Sequence, residues 1–250
     1  MICKRLTGIA MVVSACLAFV SCGSVRHAQT AEGAELWLDT KELPYLVACL
    51  PAPPAFGSPE FAYDSIMYYR SKERHADKVR MQMAEIDAVW SLDTVFTAFN
   101  EPFGLQLSPT ETPQIWKLLL NGISTIEQIR VAPKAYYHRL RPFEYFEEHP
   151  YTAWEEDFLR GEGSYPSGHT IRGWSIAMIL TEINPDAADA LFKRGWQYGE
   201  SRVLVGAHWQ SDVDVSRVAA SIAYSRLQAS PEYRKQVRKA RREFQRLRAQ

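Results

Sequence analysis

Apolar residues along this chain recur at steps of three and four, and hardly anywhere at every second position. Ile115, Leu118, Leu119, Gly122, Ile126 and Ile129 fall on one face of a helix. Gly173, Ile176, Ala177 and Leu180 define a second face, and Val215, Ala219 and Ile222 a third. Val79, Met83, Ile86 and Trp90 define a fourth, within a helical stretch expected over about 60–99. This is the period of helices that bury one side. Helix starts are punctuated too. Ser108-Pro109-Thr110-Glu111 combines a capping serine, a proline at the first helical position and a glutamate that closes a capping box. Asn184-Pro185-Asp186 and Ser230-Pro231-Glu232 repeat the cap-and-proline start. Residues 50–59 carry four prolines and read as an extended or turn segment. No internal repeat is visible. The pattern predicts an all-α, single-domain helical bundle.

The first residues lie outside that pattern. Lys4 and Arg5 precede an apolar run, Ile9 to Val20, too short to span a bilayer well and placed like the core of a signal peptide. The run ends at Val20-Ser21-Cys22-Gly23, which resembles a bacterial lipobox. Residues 1–22 are therefore expected to be a leader of lipoprotein type, with Cys22 lipidated. The alternative is plain cleavage near Gly23 or Ala31. Either way the mature chain leaves the cytoplasm for the periplasm or cell envelope. Residues 23–35 are small and polar and read as a tether, which leaves 36–250 as the folded domain. Of four cysteines only Cys49 is safely mature, in an apolar neighbourhood that predicts a buried, inert thiol.

The formal net charge is zero, so nothing in the balance favours nucleic acid as a partner. Cations are nevertheless concentrated after Pro231: Arg234, Lys235, Arg238, Lys239, Arg241, Arg242, Arg246 and Arg248. Such a helix can lie on an anionic membrane. The commoner explanation is a solvated face, with Tyr233, Val237, Phe244 and Leu247 docking inward.

Three short strings carry the chemistry. They are Lys134 with Arg141-Pro142, then Pro166-Ser167-Gly168-His169, then Ser201-Arg202 with His208 and Asp212. His169 continues the stripe of Gly173 and Ile176, Arg202 that of Leu191, Gly195 and Tyr198, and His208 that of Asp212, Val215 and Ala219. Polar groups aimed at a core are costly unless they are paired, so complementary charges on three such stripes predict one shared buried site. The inventory suits a phosphate dianion. Lys134, Arg141 and Arg202 supply charge, the arginines as planar forks. Ser167 and Gly168, at a helix start, offer a hydroxyl and a backbone N–H. Asp212, one helical turn from His208, can fix its tautomer and leave the other nitrogen free to attack. His169 is then the general acid. No metal or other cofactor is needed to balance the charge. His27 lies in the tether, His75 and His149 sit among charges and are expected to be solvated, and His138 is expected to stand near the entrance.

In order and spacing, these strings resemble the tripartite signature of the type 2 phosphatidic acid phosphatase and haloperoxidase superfamily, and every signature position matches. The longer string Gly163-Ser164-Tyr165-Pro166-Ser167-Gly168-His169-Thr170 resembles bacterial class A non-specific acid phosphatases. The resemblance implies an exported, helical, metal-independent hydrolase of small phosphomonoesters that releases inorganic phosphate. It makes His208 the nucleophile, His169 the acid and Asp212 its partner's orienter, with Lys134, Arg141, Ser167, Gly168 and Arg202 on the phosphate. The alternatives are a surface-tethered phosphatase of lipid or lipopolysaccharide head groups, a vanadate-dependent haloperoxidase, and a phosphate-binding protein without turnover. Monomer and homo-oligomer are both compatible with the sequence.

Overall fold

The computed structural model describes residues 31–249, and within them every regular element is helical. In chain order the α-helices are α1 Leu46–Cys49, α2 Pro59–Glu73, α3 Lys78–Asp87, α4 Leu92–Thr97, α5 Asn100–Phe103, α6 Pro113–Ile126, α7 Val131–Tyr137, α8 Pro142–Tyr145, α9 Glu156–Leu159, α10 Gly168–Ile183, α11 Ala188–Leu204, α12 Gln210–Leu227 and α13 Pro231–Arg248. The leader, Cys22, His27 and most of the expected tether lie outside the described residues. Of residues 31–35, Ala31 rests against the core and the Glu35 N–H donates to Asn121 Oδ1 at 3.1 Å.

α10 is the centre of the bundle. It packs on α11 along much of its length, and also on α12, α6 and α13. It is therefore buried almost all round, with Ile171 and Ile179 inward as well as the expected Ile176, Ala177 and Leu180. Glycine permits the close approach of α10 and α11. A Cβ on Gly173 would stand 2.6 Å from Tyr198 Cδ1, and one on Gly195 3.1 Å from the Gly173 carbonyl oxygen. Ile115, Leu118, Leu119, Ile126 and Ile129 are buried together, as their spacing predicts.

α13 docks Tyr233, Val237, Ala240 and Phe244 inward and keeps all eight of its cations exposed. Its Glu243 has a further role. The buried carboxylate accepts the Gln114 and Ile115 N–H groups, each at 2.9 Å to Oε2. It thereby caps α6, whose N-cap Thr112 makes no side-chain cap of its own.

Several sequence expectations need correction. Ser108 caps only a turn: its Oγ accepts from Glu111 N–H at 3.0 Å, and α6 starts five residues later at Pro113. The residue before a proline is pushed out of the helical region, and Thr112 (φ −126°, ψ 51°) breaks the turn from the helix. The stretch over 60–99 is three α-helices and a 3-10 turn rather than one helix, and α3 turns the other way round: Met81, Ala84 and Asp87 are buried, whereas Val79 and Ile86 are exposed. The inward place goes to Asp87, which pairs with Arg194 and accepts from Ser201 Oγ. On α12 the buried face runs through Asp212, Ser216, Ala219, Ala220 and Ala223 rather than through Val215 and Ile222, because it carries the site's polar residues. Cys49 is exposed. α1 is a single turn anchored by Leu46, too short to bury its other residues. His75 is not solvated either: its Nε2 lies 2.8 Å from the Leu204 carbonyl, and its ring edges onto Tyr151.

Candidate active site

The site forms where helix ends meet. α11 delivers Arg202 in its last turn, and Gly206, at φ +76°, reverses the chain. The Ala207 and His208 N–H groups both donate back to the Arg202 carbonyl, at 3.0 and 3.2 Å. His208 therefore sits in the turn before α12, not on the helix as its spacing suggests. It still reaches Asp212 in the first turn of α12, with Nδ1 3.4 Å from Asp212 Oδ2. Its Nε2 is 3.0 Å from Arg141 Nη1. A guanidinium can only donate, so Nε2 is the accepting nitrogen and the proton is on Nδ1, which lies near Asp212 but makes no hydrogen bond among the described residues. Burial pulls the His208 imidazolium well below its ordinary range, and Arg141, Lys134 and Arg202 pull it further. The ring is neutral.

Asp212 is fully buried and held from the other side by residues the sequence did not reveal. Arg139 Nη1 donates to Asp212 Oδ1 at 2.6 Å, and Arg139 Nη2 to Asp64 Oδ2 at 2.7 Å. Ser211 donates to Asp64 through both N–H and Oγ. Trp209 adds its N–H to Asp212 Oδ2 at 3.0 Å and stacks beneath the Arg139 guanidinium. Arg139 lies inside the Lys134–Arg141 string and could have been noticed there. Asp64, on α2, carries no sequence signal.

The expected cations converge. Arg202 is wholly buried. Its Nη2 donates to both carboxylate oxygens of Glu155, at 2.9 and 2.8 Å, while Nε and Nη1 have no hydrogen-bond partner among the described residues. Arg141, the N-cap of α8, donates through Nε to the carbonyls of Leu159 and Glu162 and through Nη1 to that of Ala207. Lys134, on α7, donates to the Gly163 carbonyl. Burial lowers its ammonium to about 7, against the upward pull of Glu162. Ser167 caps α10: its Oγ accepts from Thr170 N–H and Oγ1. Its own N–H donates to Ser216 Oγ at 2.7 Å. Gly168 begins α10 under Arg130 and Trp90, where an added Cβ would lie 3.1 Å from a carbon of each. Arg130 is a fourth cation, unseen in the sequence.

His169 lies in the first turn of α10. Its Nε2 is 3.1 Å from the Ala88 carbonyl, which can only accept, so Nε2 carries hydrogen and Nδ1 is the nitrogen that can exchange a proton. Trp90 covers the ring edge-on at 4.6 Å and is itself stacked by Arg172, which Glu127 holds at 2.6 Å. Burial lowers the His169 pKa well below the usual value, aided by Arg202, Arg172 and His208. Trp90, Arg172 and Glu127 thus close one wall. Of the remaining residues of interest, Ser201 turns away to Asp87. His138 is exposed at the left-handed end of α7, and His149 pairs with Glu156 at the surface.

Four cations (Arg130, Lys134, Arg141 and Arg202), two neutral imidazoles and a clamped carboxylate thus come together in one buried region. It can bind an oxyanion and present one imidazole nitrogen to it. Known proteins with related sequences agree in kind. The family model described as PAP2 superfamily matches residues 115–230, which include all three strings. The chain is 41% identical to a non-specific acid phosphatase of Providencia stuartii over 202 residues, covering 80% of this chain and 81% of the relative. It is 38% identical to a non-specific acid phosphatase of Salmonella typhimurium, covering 78% of each. An acid phosphatase of Zymomonas mobilis is 33% identical over 80% of this chain and 75% of its own length.

Proposed function

Starting from a chain that belongs to the PAP2 superfamily, and within it to the bacterial non-specific acid phosphatases, we propose that its hydrolysis of phosphate monoesters runs through a covalent phosphohistidine on His208, outside the cytoplasm and with broad tolerance of the leaving group. The observation that carries the reading is the pairing of a neutral His208, its Nε2 lone pair turned to Arg141, with the two donors of buried Arg202 that have no partner among the described residues.

In the first step Nε2 attacks phosphorus in line, the bond from phosphorus to the ester oxygen breaks, and His169 gives its proton to that oxygen. Asp212, 3.4 Å from Nδ1, stabilises the cationic phosphohistidine by its charge. In the second step a water loses its proton to His169 and attacks, the P–N bond breaks, and phosphate departs. Arg202, Arg141, Lys134, Ser167 and the Gly168 N–H hold the phosphoryl oxygens as charge redistributes. His169 is neutral in the free protein. A dianion among the cations, or an acidic medium, restores the proton it must donate, which fits an enzyme working on the acid side of neutrality.

Activity should survive a chelator and be blocked by vanadate, whose trigonal bipyramid on His208 mimics the transition state. Loss with chelator and rescue by magnesium or zinc would overturn the charge balance argued here. Export rests on the leader reading, with Cys22 as the lipidated residue. No helix among the described residues is long and apolar enough to cross a membrane. Cys22→Ser should therefore move activity from the detergent phase to the aqueous phase. A native protein that is already aqueous and unlipidated contradicts the anchor and leaves the chemistry untouched.

A further inference from the structure

Glu162 stands at the mouth of the cage with its side chain 37% exposed. Its carboxylate meets three cations. Arg130 Nη1 is 3.1 Å from Oε1, and Arg141 Nη2 is 3.2 Å and Lys134 Nζ 4.0 Å from Oε2. These contacts matter because of what the same cations do otherwise. Arg141 spends Nε and Nη1 on backbone carbonyls and His208, so Nη2 is the arm left to grip a ligand. Lys134 is fixed to the Gly163 carbonyl and has Glu162 as its nearest carboxylate. A phosphoryl group that is to be held by Arg141 and Lys134 must take the place of this carboxylate.

From this geometry we infer that Glu162 is a resident substitute for the phosphoryl group: its carboxylate occupies the Arg130–Lys134–Arg141 cations in the free enzyme and is displaced outward by substrate or phosphate. The inference rests on reading this cage as the phosphoryl site. The local backbone suits a side-chain swing. Arg141 Nε holds the Glu162 carbonyl at 3.1 Å, and Glu144 accepts the Gly161 N–H at 3.1 Å, so the loop stays put while the exposed side chain turns to solvent. Two consequences follow. The carboxylate competes with every anionic ligand. It also keeps mutually repelling cations neutralised while no ligand is bound, Lys134 above all.

The two roles give effects of opposite sign when the charge is removed. In E162Q, measured well to the acid side of the Lys134 ammonium, which loses the upward pull of Glu162 and falls below about 7, the inhibition constant of inorganic phosphate should fall about two- to fivefold, the worth of partly exposed ion pairs. The phosphate-free protein should melt lower than the parent, and saturating phosphate should restore it. Glu162→Ala should act in the same direction. An inhibition constant that rises or stays level in both variants, while Arg141→Ala binds phosphate much more weakly, overturns the inference and makes Glu162 a mere support for the cations. If Arg141→Ala leaves phosphate binding unchanged, it is the reading of the cage itself that fails.

Discussion

Each polar residue at the site is expensive to bury, and each is held by a partner that offsets the cost. Asp212 is the clearest case. Its charge is matched by Arg139, which is matched in turn by Asp64, and none of the three side chains is more than 2% exposed. Removing one member leaves uncompensated charge in the core. Arg139→Met should cost about 3–5 kcal/mol of stability, the usual penalty for breaking a buried pair, and should lower kcat more than it raises KM, because Asp212 loses its orientation. A variant as stable and as active as the parent would remove Arg139 from the account. His169, Arg202, His208 and Asp212 stood out in the sequence by the fixed spacing of their short strings. The stripes drawn through them held less well, since His208 precedes α12 and α10 is buried almost all round. Asp64, Glu155 and Glu127 did not stand out. Their partners lie far away in sequence, and a carboxylate on an ordinary helix looks the same whether it faces water or a buried guanidinium.

Among elements, ends were legible only where the cap is local: Asn184 makes no side-chain cap, donates instead to the Phe103 carbonyl and opens a short 3-10 turn, so that α11 starts later, at Ala188. Ser230 caps α13 by accepting from Tyr233 N–H at 3.3 Å, as the serine–proline start predicts. Caps act locally, so local sequence records them. Faces depend on what lies opposite. α3 turns Val79 and Ile86 outward because Asp87 claims an ion pair with Arg194 inside, and a count of apolar residues cannot anticipate that. α10 is enclosed by four helices and has no single apolar stripe to find. Its two glycine contacts with α11 bring the start of one helix and the end of the other together, and those ends carry His169 and Arg202. The α6 start illustrates the same limit from another side. Its cap is Glu243, supplied from α13 across more than a hundred residues of chain.

At the scale of the whole molecule, a net charge of zero conceals a segregation. Eight cations line the solvent face of α13, where water screens them. A smaller set is buried between α7, α8, α10 and α11, where charge can act on phosphorus undiluted. The all-α class and family were legible because the strings that build the cage are short and fixed in spacing. The transfer of the phosphoryl group to His208 is the claim on which the rest depends. It is tested most directly by rapid-quench trapping of acid-labile phosphohistidine, with an aryl and an alkyl ester compared. His169→Ala should accumulate label, faster from the aryl ester because its oxide leaves without a proton, and lose it slowly because the water step lacks its base. His208→Ala should take no label and turn over neither ester. Label retained on the His208→Ala protein, or equal loss of both activities in the two variants, would contradict the assignment.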